Sequence, residues 1–289
     1  MKNKALLVTG SSGYVMQYFN FRILENSYDI FYIKYKNLNH KKNEYLFSQL
    51  DQLGISLKSY SEIKFLSFGS STSNKSFKEY IESIDNFEYI LNFLIKLEKN
   101  LYVYHASSLS TFPLEVYNLV TNKSYKDFNE QDPYRFSKLM QNRILIKASK
   151  LKNVSVKIVH FGWVYSTYDS LLSRFKNGSI KIGPFVLSSL QSPFKLIYAT
   201  PTKLIYQDIQ KFLKEGNKSK KSLETVFLKE SKSPITIFQL FKKNGFYYIS
   251  PLPLILSFIF SILLIFLRKH STLAYIFRQY LKINGSVKF

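Results

Sequence analysis

The feature that most constrains this chain is an alternation running through roughly its first 160 residues. Short apolar or aromatic runs of strand length are followed by longer stretches whose apolar side chains recur at helical spacing. Ala5–Thr9 reads as a strand, Tyr14–Glu25 as a helix, Asp29–Lys36 as a strand, Leu38–Leu53 as a polar helix and Phe65–Phe68 as a strand. In Phe77–Lys99, residues Tyr80, Ile81, Ile84, Phe87, Ile90, Leu91 and Leu94 mark one helical face. Leu101–His105 is a strand, Pro133–Leu151 a helix and Val154–Phe161 a strand. Parallel strands need a crossover, usually a helix, so this order implies a doubly wound α/β fold whose mostly parallel sheet is covered on both faces. Ligands of such sheets bind beyond the carboxyl ends of the strands.

After about Tyr165 the alternation fades. The expectation is one domain over residues 1–165 and a smaller lobe over 166–289, with two helix-like pieces at Thr202–Glu215 and Ile235–Lys243. The opening apolar run, Ala5 to Val8, is four residues, shorter than the roughly seven to fifteen of a secretory core. With no Cys, thiolate catalysis, disulfides and Cys-ligated zinc fall away; the four His show no metal-ligand spacing. The +22 net charge comes from 35 Lys and only 6 Arg, scattered along the chain without a recognition motif. It reads as a lysine-coated surface and not a nucleic-acid site, where Arg is the better reader of phosphates and bases.

Three constellations carry chemistry. Thr9-Gly10-Ser11-Ser12-Gly13 lies between a strand and the expected helix; Gly10 permits a tight turn, and Gly13 lets backbone approach a pyrophosphate at a helix N-terminus. Tyr134-Arg-Phe-Ser-Lys138 opens a helix behind Pro133 and puts Tyr134 and Lys138 on one face. An ammonium near a phenol favours the phenolate and makes a proton-transfer group usable near neutral pH. Leu101-Tyr-Val-Tyr-His-Ala-Ser-Ser108 ends in hydroxyls, with Ser108 at the carboxyl edge of the sheet. Taken singly, each has a bland alternative: an ordinary glycine turn, a surface Tyr and Lys, a turn-forming serine.

Their order along the chain resembles the extended short-chain dehydrogenase/reductase family, the NAD-dependent epimerase/dehydratase group. Smaller echoes agree: Asn86-Phe-Glu-Tyr-Ile-Leu-Asn92, Phe68-Gly69-Ser70, Val164-Tyr165, Tyr206-Gln-Asp208-Ile and Ser233-Pro-Ile-Thr-Ile-Phe-Gln-Leu240 are similar to family segments. The resemblance implies a Rossmann fold with a C-terminal substrate lobe. Tyr134 would be the general acid/base, Lys138 would tune it and hold the nicotinamide ribose, and Ser108 would bind the substrate oxygen. NAD or NADP would lie along Gly10, Ser11, Ser12, Gly13, Tyr14 and Val15, with Lys34, Phe68, Gly69, Ser70 and Phe161 completing its site. The implied chemistry is hydride transfer on a sugar or sugar nucleotide, in a cytoplasmic homodimer.

Several positions depart from the family pattern, Tyr89 in place of a Gly among them. Met16 stands where the third glycine belongs, and Asn142 replaces a Glu. Lys34 falls where NAD-type members place a carboxylate; a cation there suits a 2′-phosphate, so the reading leans to NADP. Trp163 replaces an Asn that contacts the nucleotide sugar. A second reading is therefore a nucleotide-binding regulatory or scaffolding protein without turnover. A third comes from Ile249–Leu267, which carries no charge between Lys242-Lys243 and Arg268-Lys269. Pro251 and Pro253 leave only fourteen residues, Leu254–Leu267, so the apolar helix expected near 252–267 suits membrane-surface contact or burial better than a span. It favours a membrane-associated reductase of a lipid-like substrate.

Overall fold

The computed structural model describes residues 3–35, 43–69, 76–111, 133–165, 179–182, 185–188, 196–215, 222–243, 245, 247–249, 255, 258, 259 and 262. In chain order come strands β1 (Lys4–Thr9), β2 (Asp29–Lys34), β3 (Glu44–Leu46), β4 (Glu62–Ser67), β5 (Asn100–Ser108) and β6 (Val154–Phe161). There follow β7 (Trp163–Tyr165), β8 (Ser179–Ile182), β9 (Phe185–Ser188), β10 (Leu196–Ile197), β11 (Ala199–Pro201), β12 (Leu223–Leu228), β13 (Ile235–Thr236) and β14 (Tyr247–Ile249). The helices are α1 (Leu50–Leu57), α2 (Phe77–Lys96), α3 (Pro133–Ala148), α4 (Thr202–Glu215) and α5 (Ile237–Lys243).

The chain divides into two compact units: Met1–Phe161 with Ile205–Leu228, and Gly162–Leu204 with Lys229–Phe289. The first holds a seven-stranded sheet in the order β12-β6-β5-β4-β1-β2-β3. Every pairing in it is parallel. This is the doubly wound α/β architecture expected from the alternation. Alternate residues of each strand face one apolar layer, where Leu7, Phe65, Val103 and Ile158 pack with Leu53 of α1, Phe87 and Leu91 of α2, and Leu145 of α3. Helix α2 starts where it does because Ser76 and Glu79 satisfy each other's amides in a capping box (2.9 and 3.3 Å), a device worth about 1 kcal/mol.

On the other face, α4 is tied down by buried polar groups. Lys64, 1% exposed, donates to the Leu213 carbonyl at 2.8 Å, and the Tyr28 hydroxyl donates to the same oxygen at 2.6 Å. Two donors, one of them a cation, thus meet the negative end of the helix, with the Lys64 ammonium among the Tyr28, Tyr102 and Phe212 rings. One turn earlier, Asp208 accepts from the Tyr104 hydroxyl and the Lys157 ammonium, both at 2.8 Å.

Two expected helices differ from what forms. Tyr14–Glu25 makes turns over Tyr14–Tyr18 and a short 3-10 helix at Phe21–Leu24. Its aromatic and β-branched residues are poor helix formers, and Phe19 turns inward against Phe21 and Tyr206, while Asn20 caps the new start at Arg22. Within Leu38–Leu53, residues 38–42 lie outside those described; Glu44–Leu46 pairs in parallel with β2, a 3-10 turn covers Phe47–Gln49, and the α-helix begins only at Leu50. Asn43, with φ 64°, anchors that strand by donating to the Ile30 carbonyl at 3.2 Å.

The second unit is built from small sheets: β7 with β11, β10 with β13, and β8–β9–β14. Tyr165, Ile197, Ile237, Leu240, Phe241 and Tyr248 form its core. Gly162 is required there, because a Cβ would fall 2.1 Å from the Tyr198 carbonyl oxygen. The sequence boundary near 165 differs from this division in that Ile205–Leu228 returns to the first unit.

Candidate functional site

The carboxyl ends of β1 and β4 meet backbone to backbone. Gly10 has φ +70°, and a Cβ on it would fall 2.5 Å from the Phe68 carbonyl carbon and oxygen. The Gly69 amide donates to the Thr9 hydroxyl at 3.2 Å, and a Cβ on Gly69 would crowd Thr9 at 2.8 Å. Both positions therefore need glycine. The Gly13 amide closes the turn on the Gly10 carbonyl at 2.9 Å. Ser12 and Gly13 are exposed, while Ser11, Tyr14 and Val15 are half-buried.

The expected helix N-terminus behind Gly13 is not formed. Met16 and Gln17 each donate to the Gly13 carbonyl and Phe19 to the Met16 carbonyl, and the turns end there without becoming a helix. Met16 is 1% exposed, packed inward where a glycine would admit a close helix. A single turn gathers no macrodipole, so any phosphate held here relies on loop amides and the hydroxyls of Ser11 and Ser12. The Tyr206 hydroxyl fixes the loop by donating to the Val15 carbonyl at 2.7 Å.

Lys34 ends β2 as the sequence suggested and turns toward this loop, donating to the Ser11 hydroxyl at 3.0 Å. Its ammonium also lies 3.8 Å from the Glu44 carboxylate on β3, and both side chains are largely buried. Sequence reasoning missed Glu44 because parallel pairing of β3 with β2, not chain proximity, brings it there. Phe68 stacks between Tyr104 and Phe161, with centroids 5.8 and 6.2 Å away. Ser70 lies outside the described residues.

Ser108 is the last residue of β5 and is half-buried. Its carbonyl accepts from the Thr111 hydroxyl at 2.7 Å and lies 3.0 Å from His160 Nδ1. Behind it, Asn142 Nδ2 donates to the Ser107 and Thr111 hydroxyls at 2.8 and 3.3 Å. This buried group pins the strand end. Asn142 was legible only as a departure, one turn beyond Lys138 on the same helix face. Burial pushes His160 below its ordinary range, only partly countered by its bond to the Ser108 carbonyl. His105 is pushed down further, by burial first and then by Lys138 and His160.

Helix α3 begins at Pro133 and carries Tyr134 and Lys138 one turn apart. The Tyr134 ring meets Tyr80 edge-on at 6.4 Å. Lys138 is 3% exposed, and its Nζ donates to the Ala106 carbonyl at 2.6 Å. Burial pulls its ammonium from 10.5 down to about 7. Burial thus works against the positive charge that the sequence reading places beside Tyr134. Among the described residues, no cluster of three or more His, Asp or Glu is arranged for a metal, and no helix is long and apolar enough to cross a membrane.

No protein-family model and no curated protein matches the chain. Solved structures do. An Agrobacterium tumefaciens short-chain dehydrogenase/reductase superfamily protein with bound NAD aligns at TM-score 0.60 and 14% identity, covering 85% of this chain and 84% of that one. MoeE5 in complex with UDP-glucose and NAD aligns at 0.59 and 16%, covering 85% of each chain. UDP-N-acetylglucosamine 4-epimerase from Bacillus cereus aligns at 0.57 and 15%, covering 86% of this chain and 85% of that one. The chain therefore has the Rossmann-type fold of the extended short-chain dehydrogenases/reductases, over most of the length of each partner.

Proposed function

We propose that this chain is an NAD(P)-dependent enzyme that moves hydride at a hydroxyl or keto carbon of a sugar or sugar nucleotide, as an epimerase, dehydratase or reductase. The observation that carries the reading is the bond from Lys138 Nζ to the Ala106 carbonyl. It fixes the helix bearing Tyr134 against the strand that ends two residues later at Ser108. Bound sugar nucleotides and NAD in structures of the same fold support the substrate and cofactor class.

The residues present fit a dinucleotide. Gly10 and Gly69 keep the strand ends free of side chains, Ser11 and Ser12 add hydroxyls, and Lys34 adds a cation. NAD(P), when bound, supplies the hydride acceptor or donor. Tyr134 takes or gives the proton at the substrate oxygen, and Ser108 holds that oxygen by a hydrogen bond. Lys138, one helical turn from Tyr134, would favour the phenolate when protonated and hold the nicotinamide ribose. Lys34 on its own favours NADP. Its pairing with Glu44 offsets that charge and offers ribose hydroxyls an acceptor, which supports NAD. The setting is a cytoplasmic homodimer; Asp85 and Glu88 on α2 beside Arg143 and Lys147 on α3 line one groove, a pattern that a two-fold axis makes self-complementary.

The test is nucleotide titration followed by nicotinamide fluorescence, alongside turnover on UDP-sugars. Tyr134→Phe keeps dinucleotide binding and loses turnover by about 10²–10⁴; Glu44→Gln shifts preference toward NADPH. Failure of the wild type to bind either dinucleotide rejects the reading, and an unchanged preference in Glu44→Gln rejects its cofactor part. The missing helix after Gly13 favours a second reading, a nucleotide-binding regulator, which binding without turnover of any sugar nucleotide would select.

A further inference from the structure

The reaction proposed above makes no use of the uncharged stretch Ile249–Leu267. Four of its residues are described, Ile255, Phe258, Ile259 and Ile262, and all are helical. Their side chains are 55%, 68%, 42% and 41% exposed. Offsets of three, four and seven put them on a single helix face. A contiguous row of large apolar side chains facing water marks a docking surface, whereas scattered ones do not.

We propose that this face lies in the surface of an anionic lipid bilayer, as an interfacial helix. Length argues against a span: Leu254–Leu267 is fourteen residues in the sequence, and any helix of that many residues reaches only about 21 Å against a hydrocarbon core of about 30 Å. Charge selects the occupant. The exposed Lys242 and Lys243 close α5 just before the stretch, and Arg268 and Lys269 follow it in the sequence. Lys243 shares its charge with Glu230; Lys242, Arg268 and Lys269 add to a chain of net +22. Two copies meeting through this face bring like charges together, whereas an anionic headgroup layer is attracted to them. An apolar face bounded by cations is the pattern that inserts shallowly into such a layer.

The experiment is co-sedimentation of the full chain with vesicles of phosphatidylcholine alone and of phosphatidylcholine mixed with phosphatidylglycerol. The protein pellets with the mixed vesicles, far less with phosphatidylcholine alone, and is released as salt rises. The double substitution Phe258→Glu with Ile259→Glu changes two exposed positions; circular dichroism confirms that the fold persists while partitioning drops by about tenfold or more. Lys242→Glu weakens pelleting with mixed vesicles and leaves the residual binding to neutral ones unaltered. Absence of pelleting with mixed vesicles overturns the proposal, as does equal pelleting of the double variant. A dimer in sedimentation velocity that the double variant splits also overturns it, by assigning the face to a second copy. None of these outcomes depends on nucleotide binding, so this inference and the proposed reaction fail separately.

Discussion

Replacing Lys138 by Met separates stability from function at one position. Lys138 is 3% exposed, and its ammonium falls from 10.5 to about 7. Each tenfold in proton affinity is about 1.4 kcal/mol, so carrying this lysine into the fold at neutral pH costs roughly 4 kcal/mol. Between about pH 7 and pH 10.5 the unfolded chain holds the proton that the native chain has released. Stability contributed by this site therefore climbs as pH rises through that window. Met fills a similar volume without charge, but it strands the Ala106 carbonyl, at a cost of about 1–3 kcal/mol. Lys138→Met should thus exceed wild type by about 2 kcal/mol at pH 7, with the advantage gone by about pH 9.5. Urea unfolding followed by far-UV circular dichroism at both pH values measures the gap. The same variant should lose turnover. A variant less stable than wild type at pH 7, or a gap that does not narrow with pH, would refute the reasoning.

Two further perturbations probe the frame. Gly10→Ala should cost more than about 3 kcal/mol, since positive φ and a 2.5 Å clash with Phe68 coincide. Gly245→Ala has φ +82° and open space around it, so about 1–2 kcal/mol is expected; similar urea midpoints for the two would contradict the close approach of β1 and β4. Asp208→Asn leaves the Lys157 ammonium only the longer, half-exposed Glu224 pairing at 3.9 Å and should cost about 2–3 kcal/mol, against about 1 kcal/mol for Tyr104→Phe. Comparable losses would mean that the ion pair does not hold α4.

The central strands were legible because both of their faces are buried, which leaves near-continuous apolar runs in the sequence. Val154–Phe161 has the expected bounds, Thr202–Glu215 likewise, and Phe77–Lys99 closes three residues early at Lys96. Strand β12 was not legible: it is six residues long, half-buried throughout and placed at the sheet edge. Edge pairing also hid β3, whose register rests on Asn43 and not on any apolar pattern. At the site, glycines and the Tyr134–Lys138 spacing carry local signals. The Thr111–Asn142–His160 group and the Glu44 partner of Lys34 arise from tertiary approach, which a linear pattern does not encode. Lys64 and Lys157 looked like two more surface lysines in a lysine-rich chain; only the cover provided by α4 buries them.

That cover arrives late. The Tyr28 hydroxyl bonds a carbonyl 185 residues downstream, and Lys64 reaches the same oxygen across 149. On a ribosome working at about 5–20 residues per second, the stretch from Phe161 to Glu215 takes roughly 3–11 s to emerge. Through that interval the nascent sheet holds two lysines without their helix and a strand edge without its neighbour. Vectorial synthesis thus leaves this chain a window of misassembly that a fold closed from its first half would not have.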